Sequence, residues 1–242
     1  MDVKLHFGEF IENINKAISD LQDGKFILIY DDDNREGEAD IVMASEFVTP
    51  NSIRTMRKDG GGLIFLMASS EIADKLNLPF LADLFSDVGD KYPVLRELIP
   101  NDILYDAKSS FSLYINHRET FTGITDIDRS LTMIKFAELA KKIDNIDDGG
   151  AITLFGKEFR SPGHIPICVA SKNLLNERAG HTELVVSLLK MANITPVGSG
   201  CEIMSDNGKA LSKTKSKQYA NENGFVFLEG KEIIKTWKKW SK

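Results

Sequence analysis

The run Phe26-Ile27-Leu28-Ile29-Tyr30, shut in between Gly24 and three consecutive aspartates, constrains the fold more than any other stretch of the chain. It is too brief for an independent helix, so Lys25 to Tyr30 reads as a buried strand from which the chain emerges at Asp31. Ahead of it, Ile11, Ile14, Ile18 and Leu21 recur at the spacing of one helical face, and Gly24 supplies a C-terminal stop.

The same alternation continues. Thr49-Pro50 starts a helix with Thr as N-cap, and Gly60-Gly61-Gly62 ends it near Asp59 before a strand over Leu63 to Met67. A short helix over Glu71 to Leu76 follows, then an irregular stretch from Phe80 to Lys108 and a strand through Phe111, Leu113 and Ile115. Thr125 caps a longer helix with an apolar stripe of Ile127, Leu131, Ile134 and Leu139, broken by the acidic and glycine residues of Asp144 to Gly150. Strands over Ile165 to Ala170 and Val197 to Met204 flank a helix from about Thr182 to Met191. A turn at Ser205-Asp206-Asn207-Gly208 precedes helix, strand and helix at Ser212 to Asn221, Phe225 to Leu228 and Lys231 to Trp240. This interleaving predicts an α+β fold, a single layered α-β domain over residues 1–242 with a mixed sheet and helices on both sides; the strand order is not readable.

Composition narrows the function classes. With 42% hydrophobic and 27% charged residues the chain buries a sizeable core, and no apolar run approaches a membrane span. Its formal charge of −6 argues against broad nucleic-acid binding. The start carries no secretory signal, and Cys168 and Cys201 are too few for a disulfide framework or a four-thiolate zinc site. Both read as reduced core thiols in a cytoplasmic protein.

Chemistry concentrates at two places. Asp31 to Asp40 holds six carboxylates and one guanidinium, a formal charge of −5, which needs solvent, Arg35 or a cation to offset it. If Glu36 to Asp40 is extended, Glu36, Glu38 and Asp40 share one side, a platform of oxygen ligands suited to Mg²⁺; a solvated turn explains the same residues. The second place is Arg178-Ala179-Gly180-His181-Thr182-Glu183 before an apolar helix. Thr182 as cap, the first-turn amides and the Arg fork would attract phosphate, and His181 is able to ligate metal or move a proton; a capped helix start with surface Arg and His is the plain alternative. Glu202, between Cys201 and Ile203 in a strand, is a candidate acid or base unless that strand lies at an edge. Gly60-Gly61-Gly62 permits close approach of a ligand or simply a tight turn, and neither His117 nor His164 gains a catalytic role from spacing.

Taken together, Asp31-x-x-x-Arg35-Glu36-Gly37-Glu38-Ala39-Asp40, Asp59-Gly60-Gly61-Gly62-Leu63, Thr122 to Arg129, Ser161-Pro162-Gly163-His164, Arg178 to Glu183 and Glu202 resemble, in order, the motifs of the 3,4-dihydroxy-2-butanone 4-phosphate synthases. The resemblance implies conversion of D-ribulose 5-phosphate to L-3,4-dihydroxy-2-butanone 4-phosphate and formate in riboflavin biosynthesis. It also implies Mg²⁺ or Mn²⁺ as cofactor, two ions per active site, and a homodimer with sites at the subunit interface. Carried onto this sequence, Glu36 and His181 become metal ligands. Arg35, Glu36, Asp40, Arg178, Ala179, Gly180, His181, Thr182 and Glu202 become substrate contacts, and Asp31, Glu38 and Glu202 the proton-transfer set. Two positions depart from the motif: Phe65 stands where many members have Cys, and Ser161 where many have Arg, with Arg160 one residue earlier.

Overall fold

The computed structural model describes residues 3–100 and 102–241, with side chains from Glu12 onward. Helix α1 (Val3–Gln22) leads through Gly24, whose φ of 69° makes the expected stop, into β1 (Ile27–Tyr30). Ile14 and Leu21 of the expected apolar face are buried and Ile18 half-buried; the Ile11 side chain lies outside the described residues. After the acidic loop come β2 (Ala39–Ala44) and α2 (Pro50–Thr55), the latter capped reciprocally by Thr49 and Ser52. A wider turn over Met56–Gly60 continues α2, and Gly61, at φ 85°, ends it and opens β3 (Gly61–Ala68).

Helices α3 (Ser70–Leu76), α4 (Leu81–Asp87) and α5 (Pro93–Glu97) follow, then β4 (Phe111–His117). The two short helices α4 and α5 fall where the sequence predicts irregular chain. Neither has a buried residue, so no apolar periodicity announces them. Helix α6 (Asp126–Ile143) is capped by Thr125 as expected, but its buried line runs through Met133, Phe136, Ala137, Leu139, Ala140 and Ile143. Ile127, assigned from spacing to the buried stripe, is instead 67% exposed, because the start of α6 turns Asp128, Ser130 and Thr132 inward, Asp128 accepting from the amides of Phe121, Thr122 and Gly123. The break after Ile143 is shorter than expected. Asp147 accepts a hydrogen bond from the Gly150 amide and starts α7 (Asp148–Glu158) in spite of two glycines.

The chain then runs through β5 (Phe159–Val169), α8 (His181–Met191), β6 (Val197–Ile203), α9 (Lys213–Asn223), β7 (Val226–Glu229) and α10 (Gly230–Trp240). Among the described residues the seven strands form one sheet in the order β4-β5-β3-β6-β2-β1-β7. It is mixed: β1–β7 and β3–β5 pair parallel, and the other neighbours pair antiparallel.

Strand side chains alternate between two cores. Leu28, Ile41, Met43, Ile64 and Leu66 pack with α2, α3, α6 and α7 on one face. Ile27, Ile29, Val42, Phe65 and Met67 pack with α1, α8 and α10 on the other. Burial on both faces is why the Phe26–Tyr30 run carries no polar alternation. No described helix is long and apolar enough to cross a membrane.

Candidate active site

Strand β1 runs out at Tyr30 and β2 enters at Ala39, so the loop between them stands at one end of the sheet. The antiparallel β2–β6 ladder sets Asp40 opposite Glu202. Asp40 shares a side with Val42, the face covered by α8, whose first residue is His181. Strand pairing and helix packing thus bring two acidic strand ends and one helix start around a single cavity of about 390 Å³.

Arg35, Glu36, Glu38, Asp40, Arg178, His181, Thr182 and Glu202 all line that cavity. His181 Nδ1 lies 3.3 Å from Glu36 Oε2, and its Nε2 lies 3.7 Å from Asp40 Oδ1. Both Asp40 carboxylate oxygens and His181 Nε2 are buried without a hydrogen-bond partner, which is costly unless a further group satisfies them. Asp31, Glu36 and His181 each offer a ligand atom within 4.8 Å of the others, a donor set of oxygens and imidazole nitrogen that fits a divalent cation.

The acidic loop holds its shape through Asp31, whose buried carboxylate accepts from the amides of Glu36 (3.0 Å) and Glu38 (3.1 Å) and from Arg35 Nη1 (3.3 Å). Glu202 is held differently. Its Oε2 accepts from the Leu63 amide at 2.7 Å, and a Cβ on Gly62 would sit 2.4 Å from the same oxygen. The triple glycine therefore makes room for this carboxylate as well as ending α2.

Charge crowding sorts the proton affinities. Burial pushes Asp40 up, with His181 opposing and Glu202, Glu36 and Glu38 adding to the rise. Glu202 and Glu38 are also raised, burial first in both, with Glu36 contributing by its like charge. Burial pushes Glu36 the same way, but His181 and Arg35 outweigh it and hold its carboxyl below the usual range. Burial alone would lower His181, yet Asp40, Glu36 and Asp31 hold the imidazole up at about 9. The site therefore combines carboxyls whose proton affinity is held up, Asp40, Glu38 and Glu202, with one, Glu36, whose affinity is held down.

Two guanidiniums close the cavity. Arg178 Nη1 bonds the fully buried Glu183 at 2.6 Å, and Glu183 also accepts from the Ser171 amide. The remaining edge of Arg178 meets Asp106, which bonds Arg35 as well. A Cβ on Gly180 would fall 2.2 Å from Arg178 Nη1, so glycine lets the guanidinium fold back over the helix start. Gly180, not Thr182, is the N-cap of α8, and no side chain caps this helix. Its extended backbone leaves Thr182 inside the first turn, facing the cavity, which corrects the capping role expected of Thr182. Ala179 lines a neighbouring cavity instead.

Sequence reasoning missed Tyr105, Asp106, Lys108 and Ser110, which line the cavity from the segment before β4. No periodicity or cap marks them. Phe65 and Cys168 also line it; Cys168 is a buried free thiol pushed up by burial to about 12, as is Cys201. His117 and His164 lie on β4 and β5, where His117 meets Phe159 edge to face and His164 bonds Asn116.

An acid-rich cavity at the end of a mixed sheet, faced by paired arginines, belongs to an enzyme that handles a small anionic substrate. Residues 15–236 match the family model described as 3,4-dihydroxy-2-butanone 4-phosphate synthase. Two synthases of that name resemble the chain closely. The one from Methanosarcina mazei is 47% identical over 95% of this chain and 93% of that protein, and the one from Methanothermobacter thermautotrophicus is 41% identical over 95% and 97%. Among solved structures, a 3,4-dihydroxy-2-butanone 4-phosphate synthase in complex with two magnesium ions shares the fold, with a TM-score of 0.72 and 23% identity over 93% of this chain and 96% of that one. The synthase of Candida albicans is similar at a TM-score of 0.69 and 26% identity over 92% and 96%. The chain belongs to the 3,4-dihydroxy-2-butanone 4-phosphate synthase family, lyases of riboflavin biosynthesis.

Proposed function

We propose that this chain, acting as one domain over residues 1–242, converts D-ribulose 5-phosphate to L-3,4-dihydroxy-2-butanone 4-phosphate and formate. The observation that carries this reading is the 3.3 Å approach of His181 to Glu36, with an Asp31 oxygen in the same small cluster. Glu36 and His181 would hold Mg²⁺ or Mn²⁺, two ions per site, in line with the magnesium complex of the structural relative. When bound, the metal would supply Lewis acidity toward the substrate oxygens.

The chain's own residues do the rest. Arg178, the Gly180–Thr182 helix start and Ala179 beside them take the phosphate end of the substrate, with Arg35 opposite. Asp40, fully buried between His181 and Glu202, orients the sugar hydroxyls. Glu38 and Glu202, both held up in proton affinity, take and return protons as carbon–hydrogen bonds break and water leaves. Asp31 supports that set from behind, accepting from the amides of Glu36 and Glu38 and so positioning their carboxyls.

The chain acts as a cytoplasmic homodimer. The motif residues Thr122 and His164 lie beside the β4–β5 edge of the sheet, outside the cavity, and Phe121, at 93% exposure, and Ile127 present apolar surface next to them. A second subunit would cover that surface and bring these residues to its site. The decisive experiment is ¹³C NMR of ribulose 5-phosphate incubated with protein and Mg²⁺. Labelled formate that disappears on chelation is expected, and its absence with metal present rejects the reaction.

A further inference from the structure

One carboxylate in the cavity belongs neither to the acidic loop nor to the strands that build the site. Asp106 sits in residues 102–110, a stretch without helix or strand. Its Oδ2 receives Arg35 Nη2 at 2.9 Å, Arg178 Nε at 2.6 Å and Arg178 Nη2 at 2.5 Å. Three guanidinium N–H groups from two arginines converging on one oxygen make the donor set that a phosphate would use.

The two anchors of Arg178 differ in kind. Glu183 is rooted in α8, has no exposed side-chain surface and is also tied to the Ser171 amide, so Arg178 Nη1 is fixed from within the fold. The Nε–Nη2 edge faces the cavity, and Asp106 occupies it from a segment without secondary structure, whose other ties include Lys108 to Asp83 at 2.6 Å and the Ser110 carbonyl, which accepts from the Val169 amide at 2.9 Å, both toward its far end. Leu104 is 99% exposed, and Tyr105 is about half exposed, resting on Arg35 with its ring centroid 5.3 Å from the guanidinium carbon. On the other side of this segment lies the neighbouring cavity of about 800 Å³, lined also by Leu78, Phe80 and Val169. Tyr105, Asp106 and Lys108 thus form a wall shared by two spaces.

We propose that Asp106 is a displaceable internal anion: it occupies the phosphate-facing edges of Arg35 and Arg178, and an incoming phosphate expels it and releases residues 102–110. The inference rests on the reading of Arg178 as the phosphate anchor. Two anions cannot share one guanidinium edge without repulsion, so binding of phosphate and departure of Asp106 are a single exchange. Affinity for phosphate is reduced by the fraction of molecules in which the arginines are already occupied.

The test uses inorganic phosphate as the probe and the whole chain as the protein. By calorimetric titration, Asp106→Asn, which keeps the shape and removes the charge, binds phosphate about tenfold more tightly than the parent, as expected if the internal contact is closed in about nine molecules of ten. In the parent chain, saturating phosphate speeds hydrogen exchange at residues 102–110. Equal or weaker phosphate binding by Asp106→Asn overturns the proposal, and so does exchange in 102–110 that phosphate leaves unchanged. Arg178→Ala separates the two readings. If it abolishes binding while Asp106→Asn changes nothing, the anchor stands and the internal anion falls; if neither the parent chain nor Asp106→Asn binds phosphate, both fall.

Discussion

His181 Nε2 stops 3.7 Å short of Asp40 Oδ1, and neither atom has a hydrogen-bond partner although both are buried. A neutral hydrogen-bonded pair would close to about 3 Å. The wider gap, with Glu36 bonded to the opposite nitrogen, leaves the imidazole between two carboxylates and satisfied on one side only.

Glu36→Gln and His181→Ala each reduce formate production by roughly 10²–10⁴-fold. Electron paramagnetic resonance of added Mn²⁺ reads the cause directly, because both variants leave more of the ion free in solution while circular dichroism stays that of the parent. Tight Mn²⁺ binding by either variant would show that its side chain is not a ligand.

Asp128 gives a pH prediction away from the cavity. Its carboxylate accepts from the amides of Gly123, Phe121 and Thr122, and these bonds, Gly123 foremost, hold its proton affinity below the ordinary value. A carboxyl depressed by folding stabilises the protein above its unfolded pKa, near ~3.9, and loses that contribution as pH falls through the folded value. Asp128→Asn therefore costs about 1–3 kcal/mol at pH 7 in urea unfolding, and the gap from the parent narrows below about pH 4. A gap independent of pH contradicts this account.

Gly62→Ala places a methyl group 2.4 Å from Glu202 Oε2 and 2.8 Å from the Glu202 backbone oxygen, so the carboxylate has to move. Turnover falls about 10²-fold, the scale of a misplaced reacting group. Gly156→Ala in α7 is the control: its Cβ meets nothing within 4 Å, and the change adds about 0.5–1 kcal/mol of stability without touching turnover. Unaltered turnover in Gly62→Ala would mean that the position of Glu202 does not matter.

Sedimentation velocity tests the second subunit. The parent chain runs as a dimer, and Phe121→Asp, a charge in the middle of the exposed apolar loop, shifts it toward the 27.0 kDa monomer. A parent chain that sediments as a monomer rejects the interface.

The sequence was informative where a local pattern carries its own cause. Thr49-Pro50 and Thr125 cap the helices they announce, and the Asp31–Asp40 and Arg178–Thr182 stretches do meet at one cavity. It was silent where placement depends on partners far along the chain. Nothing near Asp106 foretells its bonds to Arg35 and Arg178, which lie 71 and 72 residues away. Spacing likewise assigned Ile127 to the core because it fits a helical stripe, whereas the inward face at the start of α6 is taken by Asp128 and its bonds to the preceding loop. The cap of α8 was misplaced by two residues, from Gly180 to Thr182, since Gly180 caps through backbone shape and leaves no side-chain signature.

The pairing of Asp40 with Glu202 fixes how this protein is free to vary over evolutionary time. Deleting a single residue inside β2 or β6 would rotate the remaining strand by half a pleat, turning Ile41 or Cys201 toward the reaction chamber and its acidic neighbour into grease. Lineages are thus free to lengthen or shorten the hairpin beyond Met204, but the ladder itself tolerates substitutions and not indels.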